Sequence, residues 1–137
     1  MQLGKILTAV AAMVVSASAV HVSWDAGYDR ADRSLREVAC SDGRHGLLSR
    51  FPTQGSLPRF PSIGGAQAIA GWDSPSCGTC WLLEYQGNKV KILAIDHAGW
   101  GFNIGQRAMN ALTNGRAVEF GQVEANVTPL GAWECGL

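Results

Sequence analysis

Cysteine placement restricts this 137-residue chain more than any other feature. Cys77 and Cys80 stand three apart in the segment Gly71-Trp72-Asp73-Ser74-Pro75-Ser76-Cys77-Gly78-Thr79-Cys80-Trp81, whereas Cys40 and Cys135 lie on opposite flanks. A fold that cross-links all four must draw both flanks to one knot. Four cysteines allow three pairings, and spacing alone does not choose among them. A Cys77–Cys80 bridge would close a tiny loop and stabilise little. Joining Cys40 to Cys77 and Cys80 to Cys135 closes two long loops, each expected to contribute about 4 kcal/mol through chain entropy. Loop arithmetic favours that pairing.

Disulfides persist in oxidising compartments, and the first residues point to one. Lys5 precedes a short apolar run from Ile6 to Val15, and Ala17-Ser18-Ala19 supplies the small-residue pattern of a signal-peptide cleavage site. The run is too short to span a bilayer as a helix. Residues 1–19 are thus expected to be a secretory leader and residues 20–137 a single domain. Lys plus Arg balances Asp plus Glu at 11 each, and no basic block stands out, which argues against a nucleic-acid partner. The expected partner is neutral or weakly charged. Asn126-Val127-Thr128 forms a glycosylation sequon followed directly by Pro129.

Strand-like runs dominate the rest. His21 to Tyr28 alternates, Trp81 to Tyr85 puts Trp81, Leu83 and Tyr85 on one face, and Val90 to Ile95 is nearly continuous apolar. Gly87-Asn88 between the last two suits a tight hairpin turn. Phe120 to Trp133 reads as one or two further strands. Gly105 to Asn114 carries helical spacing with Asn114-Gly115 as its stop, and a shorter helix fits Ser34 to Val38. The proline-, glycine- and serine-rich stretch from Phe51 to Gly65 reads as a surface loop. Seventeen glycines among short strands fit a small, mainly-β barrel with sharp corners.

The spacing Cys77-Gly78-Thr79-Cys80 resembles redox and zinc motifs, but neither a βαβ context nor a second close cysteine pair accompanies it. No metal or cofactor is expected. The segment from Ile92 to Asn103 is the best candidate site: an apolar strand ends in Asp96 and His97, followed by a glycine-bracketed loop. A carboxylate at a strand end can point into a groove while the barrel fixes it. Equally, Asp96 could serve only to bond backbone N–H groups of its own loop. His97 reads as an exposed loop residue, and His21 and His45 as isolated. Glycoside hydrolysis ordinarily uses two carboxylates, for which Asp96 with Asp42 or Asp73 would be the pair. Of the five tryptophans, Trp24, Trp72, Trp81 and Trp133 are expected in or beside the core. Trp100, flanked by Gly99 and Gly101, is expected to be exposed.

Taken together these motifs resemble the cerato-platanins, small secreted proteins of filamentous fungi. The likeness runs through Val22-Ser23-Trp24-Asp25, Cys40-Ser41-Asp42-Gly43, His45-Gly46-Leu47, Phe51-Pro52-Thr53, Ile69-Ala70-Gly71-Trp72-Asp73-Ser74, Cys77-Gly78-Thr79-Cys80-Trp81, Asp96, Gly101-Phe102-Asn103-Ile104 and Cys135, in order. The resemblance implies a six-stranded double-psi β-barrel with one or two short helices, akin to the first domain of expansins. It also implies the Cys40–Cys77 and Cys80–Cys135 pairing. Further implied are a non-enzymatic protein, binding to chitin-type oligosaccharides of N-acetylglucosamine, expansin-like loosening of polysaccharide, elicitation of plant defence through a surface receptor, and self-assembly at interfaces. Its place would be extracellular or at the cell wall. The sugar groove maps onto Ser41, Asp42, Gly43, Asp96 and Asn103. Trp100 departs from the family, which usually has a small residue there; placed with the carbohydrate-binding set, it would either add a stacking platform to the groove or partly obstruct it. Two alternatives are a weak glycoside-cleaving enzyme using Asp96 and a surface-active protein whose assembly is its main role.

Overall fold

The computed structural model describes residues 19–137. The expected leader lies outside them, apart from Ala19, with which the first strand begins. Six strands, β1 (Ala19–Trp24), β2 (Ile63–Ala66), β3 (Cys80–Tyr85), β4 (Asn88–His97), β5 (Phe102–Ile104) and β6 (Gln122–Leu130), close into a barrel in the order β1-β5-β2-β4-β3-β6. The pairs β1–β5 and β2–β4 are parallel and the other four antiparallel. Two short helices, α1 (Gln106–Thr113) and α2 (Ala117–Phe120), follow β5. This is the closed mainly-β barrel expected of the double-psi class.

Alternation explains the core. Val22, Leu83, Ile92, Ala94, Ile104 and Ala125 are buried on alternating strand positions. Leu93 and Ile95, of opposite phase on β4, are also buried, and the Cys40 N–H donates to the Ile95 carbonyl at 3.1 Å. Apolar burial on both sides is why that strand reads as an unbroken apolar run. Helix α1 packs Ala108, Met109 and Leu112 inward. Its first N–H groups meet the Asp29 carboxylate, from Gln106 at 3.0 Å and Arg107 at 3.2 Å, and it stops at Asn114, whose φ of 58° is left-handed.

Cys40 joins Cys77 and Cys80 joins Cys135, across sequence separations of 37 and 55 residues. The bridges bind the segment after β1 and the C-terminal turn to the start of β3, as the loop arithmetic favours.

Several local expectations shift. The first strand ends at Trp24 because Asp25 caps a 3-10 turn, accepting the Gly27 N–H at 2.8 Å; Tyr28 sits buried in that turn rather than in a strand. The Ser34–Val38 helix is a single 3-10 turn over Leu35–Glu37. The hairpin between β3 and β4 turns on Gln86 and Gly87, one residue earlier than expected. Both have positive φ (47° and 84°), the signature of the turn that matches strand twist. The stretch read as a surface loop from Phe51 to Gly65 ends instead in β2, whose Ile63, Gly64 and Gly65 are buried. Composition misleads there because these glycines serve close packing. A Cβ on Gly64 would collide with the Asn103 carbonyl and one on Gly65 would lie 2.8 Å from the His97 carbonyl.

Candidate functional site

Asp96 shares the sequence phase of core residues Val90, Ile92 and Ala94, so an uninterrupted β4 would aim it into the barrel. The register with β2 prevents this: Gly64 pairs with Ala94 but Gly65 pairs with Asp96, so Ile95 is an extra residue. A one-residue bulge reverses which face the following side chain takes. Asp96 is half-buried as a result. Gly65 pairs in turn with Asn103 on β5, and Asn103 with Ser23 on β1. Asp96, Gly65, Asn103 and Ser23 therefore form one outward row across four adjacent strands, roughly 14 Å from end to end at the usual strand spacing. Gly65 leaves a bare backbone floor between the two polar side chains.

Each polar group in the row is held. Asp96 Oδ2 accepts from the Tyr28 hydroxyl at 2.8 Å, and its Oδ1 accepts from the Ala39 and His97 N–H groups at 2.9 Å each. The local-backbone expectation is met in part: Asp96 bonds the adjacent His97 N–H, but it also takes the distant Ala39 N–H and anchors a buried phenol 68 residues away. A carboxylate offers about four acceptor positions, which leaves room for one more donor. Burial first, then Asp96, push the Tyr28 phenol well above the ordinary tyrosine range. The Ser23 hydroxyl donates to Asn103 Oδ1 at 3.1 Å, which orients that amide and leaves its NH2 as a donor.

Trp100 is exposed, as expected, at 64 %. One face lies on His21, with ring centroids 3.8 Å apart and planes within 5°. His21 shares its side of β1 with Ser23, two residues on, so this aromatic pair flanks the end of the polar row. His21 is buried beneath the indole, with Glu124 Oε1 3.8 Å from Nδ1. Asn103 itself belongs to β5 rather than to a loop.

Ser41, Asp42 and Gly43 lie elsewhere. They line a groove of about 490 Å³ with Arg36, Leu48 and Pro52, and Asp96, Trp100 and Asn103 are not among its lining residues. The two patches meet through the chain between them, since Ala39 bonds Asp96 and Ser41 follows two residues later. Asp42 is fully exposed. The Trp72 Nε1–H donates to its Oδ1 at 2.7 Å, and this bond, with the Ser41 hydroxyl and Arg36 as smaller causes, holds its carboxyl below the usual aspartate range. The contact is therefore expected to persist at pH values above the ordinary aspartate pKa and to weaken only as pH falls through the depressed value. In Trp72→Phe, an NMR titration of the Asp42 carboxyl should move up toward the ordinary range.

Two tryptophans contradict their expected burial. Trp72 is 64 % and Trp133 75 % exposed. Trp72 is fastened outside the core by its bond to Asp42, and Trp133 lies in the C-terminal 3-10 turn, where Cys135 supplies the buried anchor. Trp24 and Trp81 pack against the core as expected. Ser23, Gly65, Tyr28, Trp72 and His21 are the site residues that spacing did not single out; each acts through a partner distant in sequence.

The cerato-platanin family description matches residues 20–137. The chain is 52 % identical over 106 residues to Allergen Asp f 15 of Aspergillus fumigatus, covering 77 % of this chain and 70 % of that protein. It is 46 % identical over 113 residues to Cerato-platanin of Ceratocystis fimbriata f. sp. platani, covering 82 % of each. Among solved structures, cerato-platanin 2 from M. perniciosa superposes with a TM-score of 0.85 at 46 % identity, over 87 % of this chain and 99 % of that one. The solution structure of the fungal elicitor Cerato-Platanin gives 0.78 at 42 %, over 85 % and 96 %. With the family description matching nearly the whole described chain and the solved relatives sharing its fold, this protein belongs to the cerato-platanin family.

Proposed function

We propose that this protein is a secreted, non-enzymatic carbohydrate-binding protein that holds N-acetylglucosamine oligomers of the chitin type. The observation that carries the reading is the outward row of Ser23, Asn103, Gly65 and Asp96: fixed hydrogen-bonding groups around a bare glycine floor, bordered by the open face of Trp100. Sugar hydroxyls and acetamido groups suit such a surface, and the balanced charge of the chain fits a neutral ligand. Asp96 orients hydroxyls here rather than cleaving bonds, because three donors already occupy it as an acceptor. The leader pattern and the disulfides support export to the extracellular space or wall. Family membership supports wall loosening and recognition by a plant surface receptor; one solved relative is named a fungal elicitor.

Calorimetric titration with N-acetylglucosamine oligomers tests the reading. Each sugar contact replaces one to water and nets about 0.5–1.5 kcal/mol, so affinity is weak and rises with oligomer length. Asn103→Ala should lower it about 2- to 10-fold, and Trp100→Ala should lower it as well. Flat titrations with every oligomer would overturn the proposal. So would shortened oligomers, seen by mass spectrometry after long incubation with the native protein and absent with Asp96→Asn.

A further inference from the structure

We infer that His21 and Glu124 form a proton-controlled seat for Trp100, so that acidity sets how firmly the indole is held at the end of the polar row. The seat itself stands on packing and charge; its effect on sugar binding rests on the carbohydrate-binding reading above. His21 is 7 % exposed, and its Nδ1 is the one buried side-chain nitrogen or oxygen without a hydrogen-bond partner among the described residues. Buried polar atoms are ordinarily paired, so this one calls for a reason. Glu124 Oε1 lies 3.8 Å from it, too far for a hydrogen bond, on the β6 residue that pairs directly with His21. Trp100 covers the ring in parallel contact, with centroids 3.8 Å apart.

A neutral ring fits this place poorly. It either turns a lone pair toward a carboxylate or buries an N–H short of its acceptor, and both cost free energy. The imidazolium suits it on two counts. Its charge lies against the indole face as a cation–π contact, and its Nδ1–H faces the glutamate, whose side chain is largely exposed and able to close the gap. The other groups on these outward faces are uncharged: Gln122 and Asn126 stand two residues either side of Glu124 on β6, and Ser23 two residues beyond His21 on β1. Export with cleavage after Ala19 would add one opposing charge, the α-amino group of Val20, which every variant below shares. The covering loop brings Trp100 between two glycines and is fixed independently. Gly101, at a φ of +59°, presses onto β1 so closely that a Cβ would collide with the His21 carbonyl. Gln67 clasps it from both sides, its Oε1 accepting the Gly101 N–H at 2.9 Å and its own backbone N–H donating to the Gly101 carbonyl at 2.8 Å. The backbone therefore brings the indole to the imidazole at any pH, and the proton decides how tightly it stays.

Acidifying the exported chain from pH 8 to pH 5, the span in which imidazoles take up a proton, tests the seat without any sugar. An imidazolium touching an indole quenches its fluorescence, so native emission should fall. His21→Phe, which keeps a stacked ring but takes no proton, and Trp100→Phe should both lose that fall. A double-mutant cycle of His21→Phe with Glu124→Gln, read by denaturant unfolding, should show coupling at pH 5 and none at pH 8. A fall that survives in His21→Phe, or coupling equal at both pH values, would overturn the seat. Calorimetry with the N-acetylglucosamine hexamer reads its bearing on the row. Native affinity should be about 2- to 5-fold higher at pH 5 than at pH 8, the scale of a cation–π contact at an exposed site, with no such difference in His21→Phe. Equal native affinity at both pH values would overturn the regulation. Absence of binding at both would overturn the carbohydrate reading and leave the seat to be decided by the fluorescence and the cycle.

Discussion

Replacing Cys80 and Cys135 together with alanine is expected to remove about 4 kcal/mol of stability, a large part of the roughly 5–15 kcal/mol typical of a domain. The bridge spans 55 residues of sequence, and without it the unfolded chain regains the freedom of that whole loop. What it secures is specific. The C-terminal turn over Ala132–Cys135 packs against β4 and β3, with Cys135 as its buried residue and Trp133 facing solvent. It also carries the Lys91–Glu134 pair, an ion pair with a nitrogen–oxygen distance of 3.6 Å and partly exposed partners, which contributes little. Denaturant unfolding of the double variant should show a lower midpoint with an otherwise cooperative transition. A midpoint near that of the native protein would mean that side-chain packing, not the bridge, holds the turn.

Asp96→Ala is expected to cost about 3 kcal/mol, because it strands a buried phenol and loses charge-assisted bonds to two backbone N–H groups. The carboxylate joins three pieces: the turn after β1 through Tyr28, the segment before Cys40 through Ala39, and the end of β4 through His97. Tyr28→Phe removes one of these bonds and should cost less, about 1–2 kcal/mol. The two variants differ in their alkaline behaviour. With the Tyr28 phenol raised by burial and by Asp96, the folded protein keeps a proton that the unfolded chain gives up near pH 10. That contribution is complete below pH 10 and declines as pH rises beyond it. Unfolding followed between pH 9 and 11 should show the decline in the native protein and its loss in Tyr28→Phe. Persistence of the same decline in Tyr28→Phe would assign it to other groups.

How much of this was legible beforehand follows from how local each determinant is. The β3–β4 hairpin, α1 with its stop at Asn114, and the disulfide knot are written in short stretches or in loop lengths, and they appear as expected apart from the one-residue shift of the hairpin turn. Strands β2 and β5 carry only four and three residues. Their glycines and polar residues resemble loop composition, because their role is to let backbones approach closely. Asp96 stands out as a strand-end carboxylate, but its outward direction depends on a bulge set by pairing with Gly65, which no periodicity contains. The same holds for Trp72. Its N–H is held at the surface by Asp42, thirty residues earlier, a contact that no local spacing contains. The candidate residues Ser41, Asp42 and Gly43 prove to line one patch and Asp96 and Asn103 another, a separation that a linear motif cannot express.

That Trp72 and Trp133 are exposed together with Trp100 and Val118 gives the molecule more open apolar surface than its tryptophan count suggested. Such surface suits stacking on sugars and also adsorption at interfaces. The row proposed for sugar lies on β1, β5, β2 and β4, whereas Trp133 belongs to the C-terminal turn.

The most direct measurement is an amide NMR titration of the native protein with N-acetylglucosamine oligomers of increasing length. If the bulged strand builds a sugar-binding row, the largest shifts fall on Ser23, Gly65, Asp96 and Asn103. Saturating oligomer that leaves those four amides unmoved would contradict the account, whatever else in the spectrum responds.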